Sequence, residues 1–295
     1  MFSGLSAFPL TPFQDGKLDE ASFERQLVRL GSAGVDSICV LGSTGSAAYL
    51  RPDERRRVTE LAVKTVDNIP VLVGVGAVST RDVLQYVNDA QEFGAAGILL
   101  APLSYQPLRD EEVFALFEKV SKESDLPLIV YDNPTTTKFT FSDDLYARIA
   151  DLPGIASIKI PGVPNDPEAA QNRISELRKR IPTEVSLGIS GDWMAASGLL
   201  AGCDVWYSVL AGVFPQPCIE ITKAARSGNV EYARELSDKL EPVWKLFKQF
   251  GSYRVISTIA KELAIAGVES LHHPVLPLTD IERSEALTAF ATLLR

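Results

Sequence analysis

Short apolar runs recur along the chain and are separated by longer amphipathic stretches. The runs are rich in β-branched residues and apolar throughout, which is typical of strands buried on both faces of a parallel sheet. Eight such runs are found, at residues 5–9, 37–41, 71–75, 97–100, 128–131, 155–160, 185–189 and 205–209. Strands of this kind alternating with helices predict an α/β fold.

The stretches between the runs have the apolar spacing of helices. Thr80 can cap a helix whose apolar face includes Val83 and Val87, and Gly94 can end it. Gly31 can end another helix in the same way. Eight strand–helix units predict a closed (β/α)8 TIM barrel.

The remainder of the chain reads as purely helical. We therefore predict a barrel catalytic domain over residues 1–228 and a C-terminal helical extension over residues 229–295, packed on the barrel. The rival architecture is a doubly wound open sheet. The segment GVGAV at residues 74–78 lacks the third glycine of a dinucleotide-binding fingerprint, which favours the barrel.

The charge balance excludes several partners. Lys and Arg number 29 against 38 Asp and Glu, a net charge of −9, which argues against nucleic acid or an anionic membrane as partner.

No apolar run reaches the roughly 20 residues that span a bilayer, and the first residues lack the basic lead of a secretory signal. Cys39, Cys203 and Cys218 show no CxxC spacing and are expected to be buried free thiols. These features predict a cytoplasmic protein.

Lys159 stands near the end of the sixth run. Alternation along a strand places Ser157 and Lys159 on one face and Ile158 and Ile160 on the other. If the isoleucines pack against helices, Lys159 points into the barrel at the end where such barrels have their active site. Burial there favours the neutral amine, a nucleophile toward a carbonyl group. The alternative is a strand-end lysine that reaches solvent.

Two further strand ends carry candidate residues. Tyr131 ends the fifth run, where a phenol could pass protons to and from the carbinolamine that precedes a Schiff base, or could be an ordinary core tyrosine. Ser43 and Thr44 follow the second run between Gly42 and Gly45. This turn can offer backbone N–H groups and hydroxyls to a carboxylate, although many strand–helix turns have a similar composition.

The seventh and eighth runs supply weaker candidates. Gly191 and Asp192 follow the seventh run, Tyr207 lies in the eighth, and we predict that all three contact substrate. The alternative for Asp192 is an ordinary acidic residue at a helix start. His272 and His273 are adjacent in the tail, and no HxxxH or CxxC spacing occurs, so we predict neither a metal nor a cofactor.

Taken in order, GSTG at residues 42–45, YDNP at 131–134 and IK at 158–159 resemble the dihydrodipicolinate synthase / N-acetylneuraminate lyase family. The likeness runs from AFPLTPF at residues 7–13 to the helical tail. The resemblance implies a (β/α)8 barrel with a helical extension, assembled as a homotetramer or dimer. It also implies that a small 2-oxo acid, often pyruvate, binds as a Schiff base.

The resemblance assigns roles to four residues. Lys159 is implied to be the Schiff-base lysine and Tyr131 the proton shuttle. Ser43 and Thr44 are implied to hold the substrate carboxylate, and Thr44 is counted with the catalytic residues as well.

The chain departs from the family pattern at three places. Dihydrodipicolinate synthases carry an arginine after the strand-five proline that holds the second substrate's carboxylate, whereas Thr136 stands here and cannot form that charged pair. The family's tyrosine pair after strand four, one member of which enters a neighbouring subunit's site, is replaced by Ser104 and Tyr105 as candidates for an inter-subunit relay. Ser46 replaces the usual acidic residue after the glycine turn.

These observations predict a Schiff-base-forming lyase acting on pyruvate or another small 2-oxo acid. Thr136 and Asp192 favour an aldolase or dehydratase with a hydroxylated, sugar-acid-like substrate over a dicarboxylate-forming condensation. The alternatives are that condensation, of the dihydrodipicolinate synthase type, and a deaminase or hydrolase of a cyclic imino acid that uses the same lysine. A non-catalytic binding or regulatory barrel is the alternative from another class.

Overall fold

The computed structural model describes residues 2–267 and 269–293. Its barrel strands are β1 (Gly4–Ala7), β2 (Ser37–Val40), β3 (Val71–Gly74), β4 (Gly97–Leu100), β5 (Leu128–Tyr131), β6 (Ile155–Ile160), β7 (Ser186–Ile189) and β8 (Val205–Ser208). All neighbours pair in parallel, and β1 pairs with both β2 and β8, which closes the barrel. Each predicted run forms one strand, so the TIM-barrel prediction is confirmed.

Helices cover the outside of the barrel. They are α1 (Glu20–Ala33), α2 (Pro52–Thr65), α3 (Thr80–Phe93), α4 (Asp110–Glu123), α5 (Asp143–Ala150), α6 (Pro167–Arg178), α7 (Ala195–Leu200) and α8 (Pro215–Arg226). One helix follows each strand, because a crossover between parallel strands needs a long connection that returns to the same end of the sheet.

Two predicted helix ends were wrong. The cap of α3 is Ser79, whose extended backbone and accepting hydroxyl make it the N-cap, and Thr80 is the first helical residue. Gly94 ends α3 as predicted, in the left-handed conformation. Gly31 lies inside α1, which ends at Gly34 because that glycine takes the left-handed position.

Side-chain alternation along the strands separates two apolar clusters. Ile158 and Ile160 of β6 belong to the cluster between the strands and the outer helices. Ile129 and Tyr207 belong to a smaller cluster inside the barrel. Lys159 lies between the two isoleucines and therefore faces the interior, as predicted.

The C-terminal extension contains α9 (Val230–Lys239), α10 (Glu241–Phe250), α11 (Ser252–Glu262) and α12 (Asp280–Phe290). The expectation of a purely helical tail was wrong for the chain between α11 and α12. Pro274 and Pro277 lie there, and a proline has no N–H to donate to a helix. The predicted boundary between residues 228 and 229 falls between α8 and α9 and stays a prediction.

The irregular part of the extension lies against the start of the chain. A short antiparallel hairpin pairs Phe13–Gln14 with Lys17–Leu18, and the Phe13 N–H donates to the Glu269 carbonyl at 2.6 Å. The His272 ring contacts the Phe13 ring edge-on, at 4.6 Å between centroids. In the described part of the chain, no helix is both long and apolar enough to cross a membrane.

Candidate active site

A cavity of about 560 Å³ opens at the carboxyl ends of the barrel strands. It is lined by Phe8, Ser43, Thr44, Tyr131, Asp132, Asn133, Thr135, Thr136, Lys159, Pro161, Ser190, Gly191, Asp192, Trp193, Tyr207, Val209, Phe247, Lys248, Gly251, Ser252 and Tyr253. These residues come from the strand ends and from the extension. A site at this end of the barrel agrees with the general rule for the fold.

The Lys159 side chain lies in this cavity, and the residue is only 3% exposed. Its Nζ atom is 4.0 Å from the ring centroids of both Phe8 and Tyr131 and 5.6 Å from that of Tyr207. No described residue accepts a hydrogen bond from Nζ. The amine is therefore held among aromatic faces, with its lone pair free to react once the proton has left.

Cys39 is the other potential nucleophile inside the barrel. Burial raises the pKa of its thiol to about 12, and the nearby positive charge of Lys159 only partly opposes that effect. A thiol with such a pKa is protonated at neutral pH, and the thiolate is the reactive form. Cys39 is thus a poor candidate for the nucleophile. All three cysteines are buried free thiols, as expected.

The Tyr131 hydroxyl also reaches the cavity. The Asn133 amide Nδ2 donates a hydrogen bond of 2.8 Å to the Tyr131 oxygen, and the Ser43 Oγ atom lies 3.5 Å from it. The phenol ring packs against the Lys159 amine. The proposed shuttle and the proposed nucleophile are therefore neighbours, as adjacent strands β5 and β6 require.

The turn after β2 brings Ser43 and Thr44 to the same cavity. The Thr11 hydroxyl donates to the Gly45 carbonyl at 2.8 Å and holds this turn in place. In the described chain, the backbone N–H groups of Ser43 and Thr44 have no protein acceptor. A Cβ atom on Gly42 would lie 2.8 Å from the Phe8 ring, so this glycine allows Phe8 to approach. Free N–H groups beside hydroxyls suit a carboxylate.

Asp192 and Tyr207 border the cavity, but protein groups occupy their polar atoms. The Asp192 carboxylate accepts hydrogen bonds from Trp206 Nε1 at 2.9 Å and from the Leu210 N–H at 2.7 Å. Burial raises the pKa of Asp192, and these hydrogen bonds oppose the shift. The Tyr207 hydroxyl donates to Ser157 Oγ at 2.8 Å. Their roles as substrate ligands, and that of Gly191, stay predictions.

The remaining predicted residues differ in position. Thr136 is exposed at the cavity edge, in a single helical turn, Pro134–Thr137, that follows β5. Neither Ser104 nor Tyr105 lines the cavity, and Tyr105 is 88% exposed. Within one subunit these two residues are therefore not part of the site, and an inter-subunit relay stays a prediction.

The cavity residues that the sequence analysis missed include Phe8, Asn133, Lys248 and Tyr253. The first two lie within quoted motifs, AFPLTPF and YDNP, but their side-chain directions are set by loops that have no simple period. The other two come from α10 and α11. Nothing in a helical pattern shows that those helices reach the cavity.

Tyr253 is attached to the barrel through Ser46. The Ser46 and Tyr253 hydroxyls lie 2.8 Å apart, and the Tyr253 hydroxyl also donates to the Ser270 carbonyl at 2.8 Å. Ser46, in place of the family's acidic residue, thus connects the turn after β2 to the extension. Across the described residues, no group of three or more His, Cys, Asp and Glu side chains is placed to hold a metal ion.

Comparisons with known proteins find relatives along almost the whole chain. A 4-hydroxy-tetrahydrodipicolinate synthase from Phenylobacterium zucineum is 31% identical over 295 residues, which cover 98% of this chain and 96% of that protein. A solved dihydrodipicolinate synthase from Agrobacterium tumefaciens is 42% identical with a TM-score of 0.95, covering 99% of this chain and 98% of the other. A solved structure described as the first monomeric dihydrodipicolinate synthase variant is 29% identical, with a TM-score of 0.89 over 98% and 96% of the two chains.

Residues 1–293 match the dihydrodipicolinate synthetase family as a whole. The match includes the barrel, the strand-end residues that line the cavity and the helical extension. The chain belongs to the dihydrodipicolinate synthetase family.

Proposed function

We propose that this protein is a Schiff-base-forming lyase acting on pyruvate or another small 2-oxo acid. The observation that carries the proposal is the Lys159 amine, buried among the rings of Phe8, Tyr131 and Tyr207 without a hydrogen-bond partner among the described residues. Its surroundings are those of a nucleophile.

The substrate carboxylate binds at the turn after β2. The N–H groups and hydroxyls of Ser43 and Thr44 donate hydrogen bonds to it, which brings the adjacent keto carbon toward Lys159. The neutral amine then attacks this carbon, forming the carbon–nitrogen bond while the carbonyl π electrons move to oxygen. Proton transfer from nitrogen to oxygen gives a carbinolamine.

Tyr131 serves the next step. Its phenol donates a proton to the carbinolamine hydroxyl, the carbon–oxygen bond breaks, and water leaves with the formation of a protonated iminium and a phenolate. The iminium withdraws electrons from the neighbouring carbon. Loss of a proton from that carbon gives an enamine, and the phenolate is placed to accept this proton.

We infer that the bond made or broken next belongs to a polar second group of the substrate. Thr136 at the cavity edge offers a hydroxyl, which suits an aldolase or dehydratase with a hydroxylated substrate. A dihydrodipicolinate-synthase-type condensation is the second candidate, supported by the names of the relatives. Lys248 also favours it, because this cation lines the cavity and could bind a second carboxylate in place of the missing arginine.

The decisive test is covalent trapping. Incubation with pyruvate and cyanoborohydride should add one reduced pyruvyl group at Lys159, located by peptide mass mapping. Lys159→Ala should lose the adduct and lower turnover at least a thousandfold while keeping the folded circular dichroism spectrum. The matched change Lys64→Ala, on the exposed face of α2, should leave the adduct intact.

The result separates the alternatives. An unmodified wild-type chain with pyruvate and with longer 2-oxo acids would contradict the proposal and favour a non-catalytic barrel. Given the adduct, a panel of aldehydes with and without a carboxylate, together with hydroxylated 2-oxo acids, distinguishes condensation from cleavage or dehydration. Ammonia release would indicate the deaminase.

The assembly and location of the protein are proposed from the family and the sequence. We propose a homo-oligomer, a tetramer or dimer, in the cytoplasm. Light scattering coupled to gel filtration measures the first directly, and a mass of one chain would contradict it.

A further inference from the structure

We infer that Asn133 is a positioning residue that turns the Tyr131 hydroxyl proton toward the substrate, so that the phenol is oriented within a single subunit. The inference rests on the proposed function, since it assigns a task to Asn133 in forming the Schiff base. Neither the resemblance nor the sequence pattern predicted a role for this residue.

The first observation is the direction of the hydrogen bond. The Asn133 Nδ2 group, at 2.8 Å, is a donor with no lone pair to accept, so the phenol oxygen must be the acceptor. The Tyr131 hydroxyl therefore does not donate its proton to Asn133. Ser43 Oγ, at 3.5 Å, is the other hydrogen-bonding side chain at this oxygen among the described residues, and either oxygen can be the donor.

The second observation concerns the position of Asn133 in its own element. It is the N-cap of the helical turn Pro134–Thr137, and an asparagine there normally accepts a backbone N–H with its side chain. Asn133 makes no such capping bond. Its backbone carbonyl accepts the N–H groups of Thr136 and Thr137, while the side chain turns back to Tyr131.

The chemical consequence follows from the proton balance of the step. When the carbinolamine loses water, the phenol gives its proton to the leaving hydroxyl and becomes a phenolate. The Asn133 N–H remains as a donor to that phenolate and stabilises it through a charge-assisted hydrogen bond. One amide thus directs the proton before the transfer and stabilises the anion afterwards.

The phenol is oriented within one subunit because the other candidate residues for this task lie elsewhere. Tyr105 is 88% exposed, and Ser104 lines no part of the cavity, so neither orients the phenol of its own chain. Asn133 is adjacent to the cavity and to the phenol at once. The donor that Tyr131 needs is therefore available without a neighbouring subunit.

The test is Asn133→Asp, which keeps the shape and replaces the donor with an acceptor. The readout is exchange of the pyruvate methyl protons in deuterated water, followed by proton NMR at saturating pyruvate, since it needs the enamine but no second substrate. At pH 8 the carboxylate accepts the phenol proton and turns it away from the cavity, and the maximal exchange rate should fall at least tenfold. The ratio of the variant's exchange rate to that of the wild type should then rise at least threefold by pH 4.4, because about a quarter of the aspartate carboxyl groups are protonated there, at the ordinary pKa of about 3.9, and can donate to the phenol.

The matched control is Asn229→Asp. Asn229 is the N-cap of α9, far along the chain, and its side chain accepts the Tyr232 N–H at 3.3 Å. Aspartate caps as well as asparagine, so this variant should keep the wild-type exchange rate at every pH. Thermal unfolding of both variants shows that the folded state is retained, and Asn133→Ala provides a second, uncharged loss of the donor that should lower the rate at all pH values.

Three outcomes overturn the inference. They are wild-type exchange by Asn133→Asp at pH 8, a loss that does not change with pH, and a change confined to the pyruvate concentration for half-maximal rate, which would indicate a substrate contact instead. Failure of the proposed function is distinguishable, because the wild-type chain would then show neither exchange nor an adduct at Lys159.

Discussion

Asp132 is a buried carboxyl group in the strand-end motif, next to Tyr131. Its Oδ2 atom accepts a hydrogen bond of 2.5 Å from the Tyr146 hydroxyl, whereas Oδ1 is buried and has no hydrogen-bond partner. Burial raises the pKa of Asp132 to about 6, and the bond from Tyr146 only partly opposes this shift. The folded protein therefore binds this proton more tightly than the unfolded chain does.

The raised pKa makes a prediction about stability and pH. The stability that Asp132 contributes is complete below its unfolded pKa and is lost as pH rises through about 6. The difference in unfolding free energy between wild type and Asp132→Asn should therefore fall by ~2 kcal/mol from pH 4 to pH 8, mostly below pH 6.5. Urea unfolding of both proteins across this range measures the difference. A difference that stays constant, or rises with pH, would contradict the assignment.

Strand β3 and the loop after β2 approach each other closely at Gly74. A Cβ atom on Gly74 would lie 1.9 Å from the Leu41 carbonyl oxygen, which is backbone and cannot rotate away. Arg55 adds to the constraint, because its guanidinium donates to the Gly74 carbonyl at 2.8 Å. The spacing between these two elements therefore depends on the missing side chain.

Replacing glycine with alanine should change the unfolding free energy in opposite directions in these two elements, β3 and α1. Gly74→Ala should lower the unfolding free energy by ~3 kcal/mol, since the backbone must move. Gly31→Ala, inside α1 with nothing within 4 Å of the new atom, should raise it by about 0.5–1 kcal/mol through helix propensity. Chemical denaturation reports both values. Equal effects at the two positions would show that the close approach at Gly74 is absent.

At the scale of the whole molecule, the extension is joined to the barrel through an aromatic contact. The ring of Phe290 in α12 lies 5.4 Å from that of Phe214, just before α8, and 6.5 Å from that of Phe247 in α10. Phe290 is fully buried. Barrel and extension share this core, so we expect them to unfold together.

Phe290→Ala should lower the unfolding free energy of the entire protein by ~3–5 kcal/mol. Tryptophan fluorescence and far-ultraviolet circular dichroism should shift together in the same denaturation series. Ile281→Ala, on the same helix but with Ile281 84% exposed, should change the value by less than ~0.5 kcal/mol. Separate transitions for the two probes would instead show an independently folding extension.

Much of the fold could be predicted because periodicity is a local property. Which face of a strand is buried follows from alternation alone, so the inward direction of Lys159 and Tyr131 was predictable once the isoleucines beside Lys159 were placed against helices. The cap of α3 was misplaced by one residue, because two neighbouring hydroxyl residues, Ser79 and Thr80, compete for it. Local propensity does not separate them.

The amino-acid sequence by itself determined the eight strand–helix units, the barrel and the lysine at the end of β6, since each depends on residue spacing within one segment. Only the tertiary structure decided which distant segments meet at the cavity. Closing the barrel places Phe8 over Lys159, and packing the extension brings Lys248 and Tyr253 to the same cavity. It also decided that the Asn133 side chain turns to Tyr131 and leaves its own helical turn uncapped. The physical reason is that such contacts join residues far apart in the chain or in loops without a period, where no local pattern records them.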